Sequence, residues 1–234
     1  MIKVVDFDGV IMDTAHEIFV ACQKVLEERG ERIEDSAEGK IREGRNFLRS
    51  GKDLYGIIEL FKQGVDFNKI SQKEFDGFVS KNEGESKKFS EDFFTMREKM
   101  IRENFDKWFL LNKLYSGIKD SIERLPKKIQ VVVISNKDFN SIVIIFEKMG
   151  IDIDKENICS KEVSENKVEQ IKNISQRFSV KPEEIFFIDD MPKQVEDVKE
   201  LGVNVALAGW GYNNDKQKEE VRQLGIPVIK SQRI

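Results

Sequence analysis

The hydrophobic pattern of this sequence changes twice along the chain, and these two changes limit what it can fold into. Residues 2–5 form an apolar run broken only by Lys3, which is typical of a short buried strand. Residues 15–114 carry apolar side chains at helical spacing, and strand and helix patterns alternate after Gly117. We therefore predict an α/β fold. Its core is a Rossmann-like, doubly wound parallel sheet formed by residues 1–14 and 115–234, and residues 15–114 form an inserted all-α cap domain.

Candidate strands in the second part of the chain are short and rich in β-branched residues. In chain order they cover residues 129–134, 157–159, 185–188, 203–207 and 226–229. Asp138 is typical of a helix N-cap, and Pro192 of a first helical turn. The alternation places the ligand crevice at the carboxyl ends of the strands.

The charge of the chain is nearly balanced, with 39 basic and 43 acidic residues. We therefore expect neither nucleic acid nor a membrane surface as a partner. Cys22 and Cys159 form no CxxC pair, which is typical of reduced thiols. With no membrane-length apolar stretch and no signal-like start, we expect a cytoplasmic protein. An apolar cap face could serve the core or a partner chain, so the oligomeric state stays open.

Two carboxylates follow the first predicted strand. Asp6 and Asp8 stand where the ligand crevice of an α/β sheet opens, and Gly9 lets the chain turn away there. The spacing suits a nucleophile and a proton donor. The alternative is an ordinary acidic turn after a strand.

Three further stretches place reactive groups at strand ends or before helices. Ser135 and Asn136 could cradle phosphate oxygens, although both are also common turn residues. Asp189 and Asp190 would bring the number of carboxylates at one sheet edge to four, which requires a cation. All-oxygen ligands favour Mg²⁺. Lys167 could offset part of the negative charge, and Lys161 is a rival for this role.

Taken together, these motifs resemble those of the haloacid dehalogenase superfamily. The closest branch contains phosphatases and phosphomutases with a helical cap after the first motif. The segments that carry the resemblance are Asp6-Phe7-Asp8-Gly9-Val10, Ser135, Lys167 and Asp189-Asp190, supported by Thr14, Ser116-Gly117-Ile118 and Gly209-Trp210-Gly211-Tyr212. The order of the four motifs spans the whole chain.

The resemblance implies a role for each catalytic residue. Asp6 would attack phosphorus and become an aspartyl phosphate, and Asp8 would act as general acid and then as general base. Ser135 and Lys167 would hold the transferring phosphoryl group. Because family members that displace halide lack the second aspartate, Asp8 favours phosphoryl transfer over dehalogenation.

The resemblance also implies a Mg²⁺ site. Its ligands would be Asp189, Asp6 and the backbone carbonyl of Asp8, with Asp190 bound directly or through water. The sequence departs from similar sequences at two positions. Val168 follows the lysine where proline is common, and Gln194 stands where asparagine is common, so the outer metal shell is less well defined.

A locally basic segment lies within the predicted cap. Arg42, Arg45, Arg49 and Lys52 would share one face of a helix, although Gly44 and Gly51 favour a loop with a helical turn. Arg45 and Arg49 are candidates for binding a carboxylate or second phosphate of the substrate. The alternative is a solvated cationic face.

The predicted function is that of a Mg²⁺-dependent phosphomonoesterase acting on a small phosphorylated metabolite, similar to phosphoglycolate phosphatases. One alternative is a sugar phosphomutase that uses the same intermediate. Another is a noncatalytic or phospho-accepting regulatory module. In phospho-accepting modules the phosphorylated aspartate follows a later strand than the acidic pair, and no hundred-residue insertion intervenes, so the order of the motifs in this chain argues against that alternative.

Overall fold

The computed structural model describes residues 1–126 and 128–230 of the chain. The chain divides into two compact units. One unit, which we call the α/β unit, contains Met1–Asp13 and the chain from Leu114 on. The other, which we call the helical unit, is Thr14–Lys113.

A parallel sheet forms the centre of the α/β unit. The strands of the described residues are β1 (Ile2–Asp6), β2 (Met12–Asp13), β3 (Lys113–Leu114), β4 (Gln130–Ile134), β5 (Ile158–Cys159), β6 (Ile185–Asp189), β7 (Asn204–Ala208) and β8 (Val228–Ile229). Six of them form one sheet in the order β5-β4-β1-β6-β7-β8, and every pairing in it is parallel. The predicted parallel α/β fold is therefore confirmed, with β1 between β4 and β6.

The central strands are buried on both faces, as continuous β-branched runs predict. Val4 and Val5 point to opposite faces of the sheet, and both are fully buried. Side chains from the strands and helices of the α/β unit form one apolar core cluster, which includes Ile134, Ile171 and Phe187. The α/β unit therefore has a hydrophobic core of its own.

Five α-helices lie among the described residues of the α/β unit and connect its strands. They are α7 (Ile118–Glu123), α8 (Phe139–Met149), α9 (Lys167–Phe178), α10 (Pro192–Lys199) and α11 (Asp215–Gln223). The Asp138 side chain accepts the Ser141 N–H at 2.8 Å, which confirms the predicted N-cap of α8. At α9 the N-cap is Asn166, whose side chain accepts the N–H groups of Val168 and Glu169. This cap starts the helix at Lys167.

The helical unit has its own set of helices. They are α1 (Ala15–Glu28), α2 (Glu38–Glu43), α3 (Asp53–Lys62), α4 (Gln72–Lys81), α5 (Glu83–Glu103) and α6 (Phe105–Phe109). The glycine-containing basic segment begins in α2 and continues as a 3₁₀ turn, Gly44–Phe47. Phe47 stacks on Phe75 with ring centroids 5.0 Å apart. None of the described helices has the length and apolar character that crossing a bilayer requires.

Candidate active site

The ends of two neighbouring strands bring three carboxylates together. Val5 of β1 lies opposite Ile188 of β6, so Asp6 and Asp189 end the two strands side by side. Asp6, Asp189 and Asp190 are all buried, and each offers an oxygen within 4.8 Å of the others. The acidic edge that the sequence predicts is thus present in the structure.

The chain turns sharply after β1 and places Asp8 beside this cluster of strand ends. The carbonyl oxygen of Phe7 accepts the N–H groups of Ile11 and Met12 at 3.0 and 2.9 Å, and Gly9 has φ +92°. A left-handed φ of this size favours glycine. The Asp8 side chain stays 25% exposed, in contrast to the nearly buried carboxylate of Asp6. Asp8 is therefore the more open of the two carboxyl groups.

Asp190 lies between two glycines. A Cβ atom on Gly9 would overlap the Asp190 carboxylate, and one on Gly211 would overlap the Asp190 Cβ. Tyr212 N–H donates to Asp190 Oδ2 at 2.5 Å. The glycines at these two positions therefore let the loops after β1 and β7 close on Asp190.

The loop after β7 also holds the loop after β1 directly. Trp210 Nε1 donates to the Val10 carbonyl at 3.1 Å, and the Tyr212 hydroxyl donates to Asp13 Oδ1 at 2.8 Å. The segment of residues 209–212, which the sequence singled out, therefore supports the first loop by hydrogen bonds.

Lys167 lies against the first carboxylate. Its buried Nζ donates to Asp6 Oδ1 and forms an ion pair with it. Burial by itself lowers the pKa of this lysine, but the carboxylates of Asp6 and Asp189 outweigh burial and raise it above the usual value. Of the two rival lysines, Lys167 is the one whose side chain the structure places on Asp6.

In the absence of a cation, burial raises the pKa of two carboxyl groups at this edge. Burial, together with the negative charge of Asp6, raises the pKa of Asp189 well above its usual value. Burial also raises the pKa of Asp6, although Lys167 opposes this shift. A bound cation would reverse both tendencies.

An orphaned oxygen supports a metal site at this edge. Asp189 Oδ1 accepts the Met191 N–H at 2.8 Å, whereas Asp189 Oδ2 is buried without a hydrogen-bond partner among the described residues. A buried carboxylate oxygen without a donor is costly unless a cation binds it. The all-oxygen donor set of Asp6, Asp189 and Asp190 therefore fits Mg²⁺.

Ser135 and Asn136 follow β4 at the same edge of the sheet. Asp6 lies opposite Ile134, so Ser135 comes directly after the neighbour of the first carboxylate. Ser135 is buried, and its Oγ accepts the Lys137 N–H at 3.0 Å. The hydroxyl proton is still able to donate to an anion.

Sequence reasoning missed two buried residues near this site. Lys137 is 4% exposed, and its Nζ lies 3.4 Å from Asp8 Oδ1. Gln170 is fully buried, and its Nε2 donates to the carbonyls of Ser135 and Ser164 at 3.0 and 2.7 Å. The only signals for them were the adjacency of Lys137 to Ser135-Asn136 and the position of Gln170 one turn after Lys167.

Arg45 and Arg49 lie in the helical unit. Arg45 is buried, at the 3₁₀ turn. The Arg49 guanidinium pairs with Asp76 of α4, and its backbone N–H donates to Asp53 at 2.8 Å. Arg49 would therefore exchange or share the Asp76 carboxylate when it binds another anion.

Known proteins resemble this chain in sequence pattern and in fold. A family model for haloacid dehalogenase-like hydrolases matches residues 4–202. No curated protein matches the chain. A solved structure of a candidate phosphoglycolate phosphatase from Lactobacillus delbrueckii subsp. bulgaricus has a TM-score of 0.69 at 14% identity, and the match covers 98% of this chain and 94% of that one.

Two further solved structures show the same likeness. A predicted phosphoglycolate phosphatase from Haemophilus somnus has a TM-score of 0.66 at 14% identity, over 99% of this chain and 94% of that one. A haloacid dehalogenase-like family protein from Streptococcus pneumoniae has a TM-score of 0.64 at 14% identity, with the same coverage of 99% and 94%. At these identities the likeness concerns the fold.

Proposed function

Since this chain belongs to the haloacid dehalogenase-like hydrolase family, we propose that it is a Mg²⁺-dependent phosphatase that hydrolyses a phosphate monoester of a small metabolite. The observation that supports this function most is the buried pairing of the Lys167 ammonium with the Asp6 carboxylate at the end of β1. A carboxylate that attacks a phosphate dianion is repelled by it, so catalysis requires positive charge fixed beside the reacting atoms.

In the first step the Asp6 carboxylate attacks phosphorus, and the bond between phosphorus and the leaving oxygen breaks. Asp8, in its acid form, gives its proton to that oxygen, so the leaving group departs as an alcohol. The phosphoryl group is then carried by Asp6 as an aspartyl phosphate. The Ser135 hydroxyl, the Asn136 amide and the Lys167 ammonium bind the phosphoryl oxygens during this transfer.

In the second step the Asp8 carboxylate takes a proton from a water molecule. The oxygen of this water attacks phosphorus, and the bond to Asp6 breaks. Inorganic phosphate leaves, Asp6 returns to its carboxylate form, and Asp8 is again an acid. The difference in exposure between Asp6 and Asp8 fits these roles, because the proton donor must reach the leaving group and water.

We propose Asp6, Asp189 and Asp190, with the backbone carbonyl of Asp8, as the ligands of Mg²⁺. When bound, the ion supplies positive charge that allows a phosphate dianion to approach these carboxylates. Asp190 accepts the Tyr212 N–H through Oδ2, and its carboxylate would contact the ion directly or through water.

For the substrate, we propose a small anionic phosphate ester and assign residues 14–113 the role of a cap domain. Within that cap, Arg45 and Arg49 are the residues proposed to bind a negative group on the leaving part of the substrate. The names of the structurally similar proteins from Lactobacillus delbrueckii and Haemophilus somnus make phosphoglycolate the first compound to test.

The test is phosphate release from phosphoglycolate, sugar phosphates, nucleotides and pyrophosphate, with Mg²⁺ and with a chelator. We expect turnover of at least one ester with Mg²⁺ and its loss with the chelator. The substitution Asp6→Asn keeps the size of the side chain but removes the nucleophile, so kcat should fall by about 1,000-fold or more.

The control is Asp120→Asn on α7, an exposed carboxylate of the same unit, which should leave kcat unchanged. A folded Asp6→Asn protein with the turnover of the unmodified protein would exclude Asp6 as the nucleophile. Isomerisation of a sugar phosphate without release of inorganic phosphate would identify a phosphomutase instead.

A further inference from the structure

The backbone at Lys137 is held at both of its polar groups. Its N–H donates to Ser135 Oγ at 3.0 Å, and its carbonyl accepts the Lys161 N–H at 3.2 Å. The next residue, Asp138, caps α8. The base of the Lys137 side chain therefore has a fixed position between the proposed phosphate cradle and the start of a helix.

The side chain of Lys137 runs inward from this point. Its Nζ lies 5.9 Å from the centre of the Phe7 ring and 3.4 Å from Asp8 Oδ1, and the side chain is only 3% exposed. A buried ammonium is costly unless an anion compensates it, and an aromatic face adds a weaker attraction. Asp8 supplies the negative charge, so the lysine and the carboxylate restrain each other.

The two buried lysines of the site divide the carboxylates between them. Lys167 pairs with Asp6, the proposed nucleophile, whereas Lys137 lies beside Asp8, the proposed acid and base. The ion pair joins Lys137 Nζ to Oδ1 of Asp8, so the charge of the lysine favours the rotation of the carboxylate that keeps Oδ1 towards Nζ. A general acid acts only when its proton-bearing oxygen reaches the leaving group in the right direction.

We propose that Lys137 is a positioning residue for Asp8. Lys137 holds Oδ1, so that Oδ2 faces the leaving oxygen and later the attacking water. It also stabilises the carboxylate that Asp8 becomes after its proton has gone to the leaving group. This inference rests on the proposed phosphatase function and adds a residue that the family motifs found in the sequence do not include.

The contribution of Lys137 should depend on how much the leaving group needs a proton. An alkoxide is a poor leaving group and requires the proton of Asp8, whereas p-nitrophenolate leaves without one. The ratio kcat/KM covers the steps up to departure of the leaving group. We therefore compare kcat/KM for β-glycerol phosphate and for p-nitrophenyl phosphate in the unmodified protein and in Lys137→Met, with Mg²⁺ present.

Methionine keeps an unbranched chain over Phe7 and removes the charge. We expect kcat/KM for β-glycerol phosphate to fall by about 100-fold, in the range that general acid catalysis contributes, and kcat/KM for p-nitrophenyl phosphate to change by less than about threefold. With p-nitrophenyl phosphate we also expect an initial burst of p-nitrophenol, because Asp8 acts as base when the aspartyl phosphate is hydrolysed. Lys137→Arg, which keeps the charge, should recover part of the loss.

The matched control is Lys119→Met. Lys119 is a half-buried lysine of the same unit that donates to the Met149 carbonyl at 3.0 Å, away from the strand ends. This variant should keep both kcat/KM values. If Lys137→Met does not fold, as judged by thermal unfolding, Lys137→Gln makes the same comparison.

Equal losses with both substrates would overturn the inference, because they would mean that Lys137 binds the phosphoryl group or only supports the fold. Unchanged kcat/KM with both substrates would overturn it as well. These outcomes differ from a failure of the proposed function, in which the unmodified protein itself releases no phosphate from any ester.

Discussion

Lys137 and Lys167 each bring a buried positive charge to one carboxylate, Lys167 to Asp6 at the end of β1 and Lys137 to Asp8 in the loop that follows. Around them lie four carboxyl groups, those of Asp6, Asp8, Asp189 and Asp190. When all four are ionised, this set of six side chains carries two more negative than positive charges. The divalent cation that we propose for this site would balance that difference, so the positions of the two lysines bear directly on the charge of the proposed ion.

Asp53, a buried carboxyl group of the helical unit, provides a test of pH dependence. It begins α3, and its Oδ2 accepts the N–H groups of Arg49 and Ser50 at 2.8 and 2.7 Å. Burial nevertheless raises its pKa above the usual 3.8. The folded state therefore keeps this proton to a higher pH than the unfolded state does.

A raised pKa of an acid in the folded state makes the free energy of unfolding fall as pH increases from the unfolded pKa towards the folded one. Asp53→Asn removes this titration. We therefore expect the unfolding free energy of the unmodified protein, relative to that of Asp53→Asn, to decrease as pH rises above about 4. Urea unfolding of both proteins at a series of pH values measures this difference in unfolding free energy. A difference that increases with pH would contradict the raised pKa of Asp53.

At the level of elements, the helices α1, α5 and α6 meet at a buried ion pair. Glu17 of α1 is fully buried. Its Oε1 accepts Trp108 Nε1 of α6 at 2.8 Å and lies 3.1 Å from Arg97 Nε of α5. The Arg97 guanidinium also lies 5.8 Å from the Trp108 ring centre. One carboxylate thus fixes how three helices of the helical unit pack.

The substitution Arg97→Met should destabilise the protein by about 3–5 kcal/mol, because it leaves the Glu17 carboxylate buried without the Arg97 guanidinium. The double variant with Glu17→Gln should recover most of this loss, since glutamine is neutral and still accepts from Trp108. Urea unfolding of the two variants measures both effects. Arg102→Met, at an exposed position of α5, is the control and should change stability by less than about 0.5 kcal/mol. A double variant no more stable than Arg97→Met would contradict this account.

The elements that hold the site were largely predictable, because each has a local signal. Asp6 and Asp189 end apolar runs, and Asp138 and Pro192 begin helices. The exact ends of the strands and helices depend on contacts that the sequence pattern does not show. The Ile226 N–H closes the end of α11 on the Val221 carbonyl, so the last strand begins at Val228 and not at 226.

The roles of Lys137 and Gln170 could not be predicted for a related physical reason. A lysine in a polar loop and a glutamine in a helix have the same local pattern whether they face solvent or the interior. Both side chains are buried in the folded protein. Their contacts to Asp8 and to the Ser135 carbonyl join segments that are far apart in the sequence.

For the molecule as a whole, the α/β unit is made from two separate stretches of chain that meet where the helical unit is inserted. The Tyr115 N–H donates to the Ile11 carbonyl at 3.1 Å, so the two ends of the insertion point are close together. Among the described residues, the members of the apolar core cluster of the α/β unit all belong to that unit.

Because the two ends of the insertion point are close together and the α/β unit has its own core, we predict that this unit folds without residues 14–113. In a protein in which a short Gly-Ser linker replaces them, we expect cooperative thermal unfolding and slow hydrogen exchange in β1. The short span between the ends keeps the entropy cost of closing the linker small. A shortened protein without a cooperative transition would show that the sheet depends on the inserted residues. The unfolded reference is a variant in which two core residues, Val132 and Phe187, are both replaced by Ser.

Asp190 occupies volume that side chains at positions 9 and 211 would otherwise need. The loops after β1, β6 and β7 are therefore in close contact at this point. The hydrogen bond from the Tyr212 N–H to Asp190 depends on that close packing. Any lineage or design that enlarges residue 9 or residue 211 must make residue 190 smaller in the same step. We expect these positions to be inherited as a set. A transplant of β1 and the loop after it into another scaffold should succeed only when residues 190 and 211 are transferred as well.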